Sequence, residues 1–263
     1  MSRRNRRFGF VVAAIAFFLA AGFGAVAPAP AQDEKGAAVN IVTIDGVKLK
    51  GHLFESGKKN AATVIMLHPI GEGKSSKAPE WKALAETLQK AGYNVMTFDF
   101  RGHGDSTIIE DTATFWSQAV NRNNVRTKNR DEIDVKDYIG STAYPPVLCN
   151  DIAAVKAYLD RKHDAGVGNT SNTIIVGAES GATLGAIWIN SEWHRFKLTP
   201  PPNMFSKATV AKRPEGTDVV AAVFLSITPE LTPKRKVNLT SILTTACKTN
   251  GMGATFFYGD KDK

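Results

Sequence analysis

At 263 residues, 43% hydrophobic and 22% charged, the chain has the composition of an ordinary soluble globular protein and enough apolar content for one substantial core. Its formal charge of +8 reflects 33 Lys and Arg against 25 Asp and Glu. Arg3, Arg4, Arg6 and Arg7 sit in the leader; without these four the balance is 29 against 25, no basic run is interleaved with aromatics, and nucleic acid is excluded as an expected partner.

The four arginines precede an uncharged apolar run from Phe8 to Val26, followed by the small-x-small pattern Ala29-Pro30-Ala31. Residues 1–31 therefore read as a signal peptide cut near Gln32 and predict export, to the periplasm or beyond. The alternative is an uncleaved membrane anchor over residues 8–26, the only way in which a membrane enters the expected partners. Residues 32–38 read as a disordered leader remnant, and residues 39–263 as one domain.

From Val39 the chain alternates strand and helix signals. Val39–Ile44 and Val47–Phe54 flank Asp45-Gly46, a two-residue hairpin signal. Ala62–Leu67 is a continuous apolar run of strand length, as in a strand buried on both faces. It runs into the turn-rich His68-Pro69-Ile70-Gly71-Glu72-Gly73. Trp81, Leu84, Ala85, Leu88 and Ala91 recur at helical spacing up to Gly92, and Asn94–Phe100 is the next strand. Residues 107–148 are polar and aperiodic and read as a long loop or lid. Asp151–Leu159 is a predicted helix, Thr173–Val176 a strand and Gly181–Ile189 a helix. Residues 193–217 read as an irregular insertion. Asp218–Ile227, Leu239–Thr249 and Ala254–Tyr258 follow as strand, helix and strand. The alternation predicts an α/β fold, a mostly parallel sheet with helices on both faces behind an N-terminal hairpin.

Three stretches carry chemistry. Thr173–Leu184, TIIVGAESGATL, has the form of a nucleophile elbow, where a buried strand turns sharply into a helix and holds one side chain out at the bend. Its glycines, Gly177 and Gly181, flank Glu179, so a carboxylate stands at the apex. VIMLHPIG and TFDFRGHGDS are the other two. In this order and at these separations, the three resemble the oxyanion loop, the strand-4 turn and the elbow of the α/β-hydrolase fold.

The histidines stand at no metal-ligand spacing and the two cysteines are isolated, so no metal is expected. The resemblance implies an esterase- or peptidase-type hydrolase, with no cofactor, acting on a small-molecule substrate. It implies Glu179 at the nucleophile position, oxyanion donors at the backbone N–H of Ile70 and Ser180, and Asp262 as the orienting acid in Gly259-Asp260-Lys261-Asp262. The resemblance also implies a histidine beyond that acid, whereas the sequence stops at Lys263; the expectation is a C-terminally incomplete domain. Related enzymes with this fold place Asp at the apex and form an ester with their substrate, so a carboxylate nucleophile is chemically possible. Glu is one methylene longer and displaces the reacting oxygens by roughly 1.5 Å, and near-attack geometry tolerates little such displacement. Two readings stay open: a hydrolase with altered nucleophile chemistry, and a non-catalytic ligand-binding or interaction protein on the same fold.

The remaining polar residues read as structural. His68 and His103 occupy motif turns, Ser180 reads as a helix cap, and Arg122, Arg126 and Arg130 read as a solvated face. Cys149 and Cys247 fall on separate predicted helices and read as buried free thiols.

Overall fold

The structure is a computed structural model that describes residues 36–199, 207, 209–232 and 235–259. Residues 1–31, read as a signal peptide, and Asp262 lie outside the described residues.

A seven-stranded sheet forms the centre, in the order β1 (Ala37–Val42), β2 (Lys48–Phe54), β4 (Asn94–Phe98), β3 (Ala62–Leu67), β5 (Asn169–Ala178), β8 (Val219–Leu225) and β9 (Gly253–Phe257). β1 and β2 form the expected antiparallel hairpin, β2 pairs antiparallel with β4, and the strands from β4 to β9 in the sheet order run parallel. β1 starts at Ala37, which pairs with Leu53, so the last residues of the expected disordered remnant are strand. The parallel strands are apolar on both sides because both sides are covered. Ile65 and Leu67 face α4 (Cys149–Asp164) and α5 (Glu179–His194), while Val64 and Met66 join Trp81 and Ala85 of α1 (Pro79–Lys90) on the opposite face. α1 opens on Pro79 at its first turn and stops at Gly92, whose φ of 99° suits glycine.

β3 and β5 are neighbours, but the chain leaves β3 for β4 on one side and returns to β5 on the other. Such a reversal opens a crevice beyond the carboxyl ends of the two strands, the usual ligand position in an open α/β sheet. The loop after β3 and the elbow after β5 both lie there.

Residues 107–148 are not a loose loop or lid. Two short helices, α2 (Thr112–Ser117) and α3 (Ala119–Asn124), and two turns of 3-10 helix fold against the sheet. Phe115, Val125, Ile133, Tyr138, Tyr144 and Leu148 are buried in the main core. Arg122 donates to the carbonyl oxygens of Trp116 and Ser117, so it closes the end of α2. Residues 193–217, expected as irregular, contain the end of α5 and an antiparallel ribbon of β6 (Phe196–Thr199) and β7 (Thr209–Pro214). Residues 200–206 and 208 lie outside the described residues. Cys149 and Cys247 are free thiols; burial pushes the Cys149 thiol up to about 12.

The pieces meet at Arg101, fully buried. Its guanidinium donates to Asp45 at 2.6 and 2.9 Å and to Asp151 at 2.9 and 2.6 Å, and its backbone N–H donates to Asp151 at 3.0 Å. The Tyr138 hydroxyl donates to the Arg101 carbonyl at 2.6 Å. Burial raises both carboxyls, but at Asp45 the hydrogen bonds and charge of Arg101 prevail and the pKa falls from 3.8 to about 2. At Asp151 burial prevails and the shift is upward.

The two carboxylates thus respond to acid with opposite signs, and Asp45 can be isolated by substitution. A depressed folded pKa gives stability that is present above the unfolded value and lost as the pH falls through the folded one. The excess unfolding free energy of wild type over Asp45→Asn, from urea titrations, should shrink by about 2 kcal/mol between about pH 5 and about pH 2. An excess that does not change over that window removes Asp45 from the acid response.

Candidate functional site

The elbow is built as its sequence spacing requires. β5 ends at Ala178 and α5 begins at Glu179, whose φ is 49°, left-handed for a residue with a side chain. Both flanking glycines are sterically necessary. A Cβ on Gly177 would lie 2.6 Å from Ala182 Cα, and one on Gly181 would lie 2.2 Å from the His68 carbonyl oxygen. Strand, helix and neighbouring loop are therefore closer than any larger residue permits, and Glu179 is left exposed at the bend.

The loop facing it, His68–Ala78, is braced from the turn after β4. Asp99 accepts from the Ser76 N–H at 2.7 Å, from its hydroxyl at 2.8 Å and from the Asp105 N–H at 3.0 Å. Gly104 admits this approach, since a Cβ there would lie 2.1 Å from Asp99 Oδ2. His103 Nδ1 donates to the Arg101 carbonyl at 3.0 Å and Nε2 accepts from the Gly71 N–H at 3.1 Å. His68 does the same work one layer in: Nδ1 donates to the Pro69 carbonyl at 2.7 Å and Nε2 accepts from the Phe100 N–H at 3.1 Å. Burial, followed by the neighbouring His103, pushes the pKa of His68 down to about 4. Burial also lowers that of His103, against the pull of the Arg101 carbonyl. Both rings are held neutral near pH 7 with both nitrogens engaged.

Ile70 and Ser180, 110 positions apart in sequence, come together. The Ile70 N–H donates to Ser180 Oγ at 2.8 Å. Ser180 is thus no side-chain cap of α5, which has none; its hydroxyl takes up the N–H of the opposing loop. Three of the four expected site residues, Glu179, Ser180 and Ile70, are clustered at the crevice.

Beside Glu179 lies a cavity of about 680 Å³. Trp81 and Leu84 of α1 and Leu225 at the end of β8 form an apolar wall, and Lys74, Lys77, Glu80 and Glu179 form its polar side. No residue of 107–148 lines it, so the expected lid covers another part of the molecule. Trp81 was legible only as a core residue at helical spacing, and its place in the wall has no local signal. Among the described residues no group of three His, Cys, Asp or Glu side chains is arranged to hold a metal ion, and no helix is long and apolar enough to cross a membrane.

The sheet order, the elbow and its position at the switch point give this chain an α/β-hydrolase fold. No protein-family model matches the chain. Over 68 residues it is 38% identical to a thiohydrolase of Aspergillus aculeatus, covering 26% of this chain and 20% of that one. An esterase of Pyrococcus furiosus is similar in structure at a TM-score of 0.49 and 18% identity, over 89% of this chain and 74% of that chain. An α/β hydrolase of Penicillium is similar at a TM-score of 0.44 and 12% identity, over 72% of this chain and 45% of that chain. The chain thus spans less than half of the Penicillium protein and 20% of the thiohydrolase.

The backbone at the apex carries a strain of roughly 1–2 kcal/mol for any residue with a Cβ. Within an ordinary helix Ala is more stable than Gly. At position 179 the order should reverse, with Glu179→Gly exceeding Glu179→Ala by about 1 kcal/mol in urea unfolding, since both lose the carboxylate and only Gly relieves the strain. Ala at least as stable as Gly would contradict the left-handed apex.

Proposed function

We propose that the cavity at the elbow binds a small organic molecule, that Glu179 is the carboxylate contacting it, and that the hydrolase fold serves here as a ligand-binding scaffold. The Ile70–Ser180 hydrogen bond at 2.8 Å carries this reading. Acyl transfer needs open N–H donors where negative charge develops on the substrate. Here the side chain next to the apex already occupies the Ile70 donor. His68 and His103 have no free ring nitrogen with which to take a proton, while Glu179 stands exposed beside the cavity.

The strained backbone of Glu179 favours a second reading, hydrolysis with altered nucleophile chemistry, because left-handed non-glycine residues persist mainly where a site needs them. In that case a Glu179 oxygen attacks the acyl carbon of an ester or thioester, the alcohol or thiol leaves, and water cleaves the resulting anhydride. Short-chain nitrophenyl esters and an acyl thioester, assayed with wild type and Glu179→Gln, separate the two. The binding reading expects the same background rate for both proteins and no acyl mass on the Glu179 peptide. Turnover that Glu179→Gln abolishes, with an acyl adduct at that peptide, would replace it with the hydrolytic one.

We further propose that the protein works outside the cytoplasm, a reading supported by the basic, apolar and small-residue order of residues 1–31. Expression with its own leader should deliver a product shortened near Gln32 to the periplasm or medium, and deletion of residues 1–31 should retain it in the cytoplasm. An uncut product in the membrane fraction would make the run 8–26 an anchor.

A further inference from the structure

Two buried groups of different chemistry fasten the loop after β3 to the turn after β4. At Ser76 the group is the Asp99 carboxylate, which accepts from the Ser76 N–H and from its hydroxyl. At Gly71 it is the His103 ring, whose Nε2 accepts from the Gly71 N–H at 3.1 Å while Nδ1 donates to the Arg101 carbonyl at 3.0 Å. A backbone N–H can only donate, so the Gly71 bond exists only while Nε2 carries no proton. Between the two points the chain has room to move. Glu72, Gly73 and Lys74 are exposed, and Gly71 and Gly73 hold φ angles of 150° and 70°. A Cβ on Gly71 would meet only Lys74, at 3.7 Å, and one on Gly73 would meet nothing. Glu72 meets Lys136 at 3.8 Å, an exposed pair of little strength. The same stretch lines the cavity with Gly73, Lys74 and Ser75, and Ile70, whose N–H is bonded to Ser180, precedes it directly.

We propose that His103 is an acid-released latch on this loop: a proton from solvent on Nε2 displaces the Gly71 N–H, and residues 71–75 come free beside the cavity while Asp99 keeps Ser76 in place. The surroundings of the ring set when this happens. Burial disfavours the imidazolium and prevails, so the pKa of His103 lies below its ordinary 6.5, against the Arg101 carbonyl and the charges of Asp99, just past β4, and Asp134, from the 107–148 segment. The Tyr138 hydroxyl, 3.4 Å from Nδ1, is uncharged, and the charge of Arg101 is answered by Asp45 and Asp151. From the loop side the ring meets His68, 5.2 Å away between centroids. Burial, with His103 itself, pushes His68 down to about 4, so His103 takes the first proton. A histidine kept neutral by the fold gives stability that is complete above the unfolded pKa and lost as the pH falls through the folded one. The latch therefore holds above about pH 6.5 and opens below it.

Residue-resolved amide exchange of the full chain from about pH 7 to about pH 4, corrected for the intrinsic pH dependence of exchange, tests the latch beside an NMR titration of the His103 ring. Opening of the Gly71 amide should increase about tenfold per pH unit below the His103 midpoint, the response of a single proton, while the Ser76 amide keeps its protection. His103→Gln puts an amide oxygen, which does not titrate, in the place of Nε2 and should hold Gly71 without any response to acid. Three results would overturn the latch: a Gly71 amide still protected after His103 has taken its proton, a His103 ring that stays neutral throughout, or the same acid slope in His103→Gln. Should that variant fail to fold, the wild type decides alone. Gly71 opening at the His103 midpoint supports the latch, and opening at the His68 midpoint, or together with Ser76, overturns it. No ligand enters these measurements, so the binding reading of the cavity stands or falls separately.

Discussion

The fold depends on one buried charge cluster. Arg101 cannot give up its proton, and water does not reach it, so its charge must be answered inside the protein. Asp45 comes from the hairpin turn and Asp151 from the first turn of α4, and Tyr138, from the 107–148 segment, bonds the Arg101 carbonyl. Four parts of the chain, distant in sequence, are therefore required in one place. Replacing Arg101 would strand two carboxylates in the core, a larger penalty than loss of the attraction itself, of the order of 3–5 kcal/mol in comparable pairs. The cluster thus selects one arrangement of hairpin, sheet and covering segment from the many that apolar burial alone would accept.

The same turn reaches the site from its other side. Arg101 is followed by Gly102-His103-Gly104-Asp105, and Asp99 precedes it by two residues. Asp99 and His103 hold the loop after β3 at Ser76 and Gly71, so the position of Ile70 opposite Ser180 follows from the turn that also seats Arg101. Site and core are one construction here. This accounts for the histidines: His68 and His103 have each spent both nitrogens on backbone groups of neighbouring turns, and burial keeps them neutral.

The elements legible in the sequence were those whose cause is local. Strands β3, β5 and β8 are apolar runs of strand length, α1 has its stripe and stop signal, and the elbow has glycines that the backbone requires. The segment 107–148 carries no local signal because its buried residues, Phe115, Tyr138 and Tyr144, follow no period; they fill gaps left by the sheet and by Arg101. Asp45 looked like a turn residue for the same reason, since its partner lies 56 positions away and leaves no trace nearby. Ser180 looked like a cap because caps are local, while its actual donor is 110 positions distant. Long-range polar pairing is the class of interaction that periodicity does not report.

The elbow itself shows how a retained geometry can reverse its electrical sense. An α-helix presents the equivalent of about half a positive charge at its N-terminus, concentrated on its first N–H groups. In a hydrolase this end, together with an N–H from the facing loop, receives negative charge that the substrate develops during reaction. At the start of α5 an acidic side chain, Glu179, already sits in that field, and the facing Ile70 N–H is already bonded to Ser180. The facing donor is thus taken up by the protein's own hydroxyl. What the elbow offers outward is a carboxylate held at the bend by a strained backbone and two tight glycines.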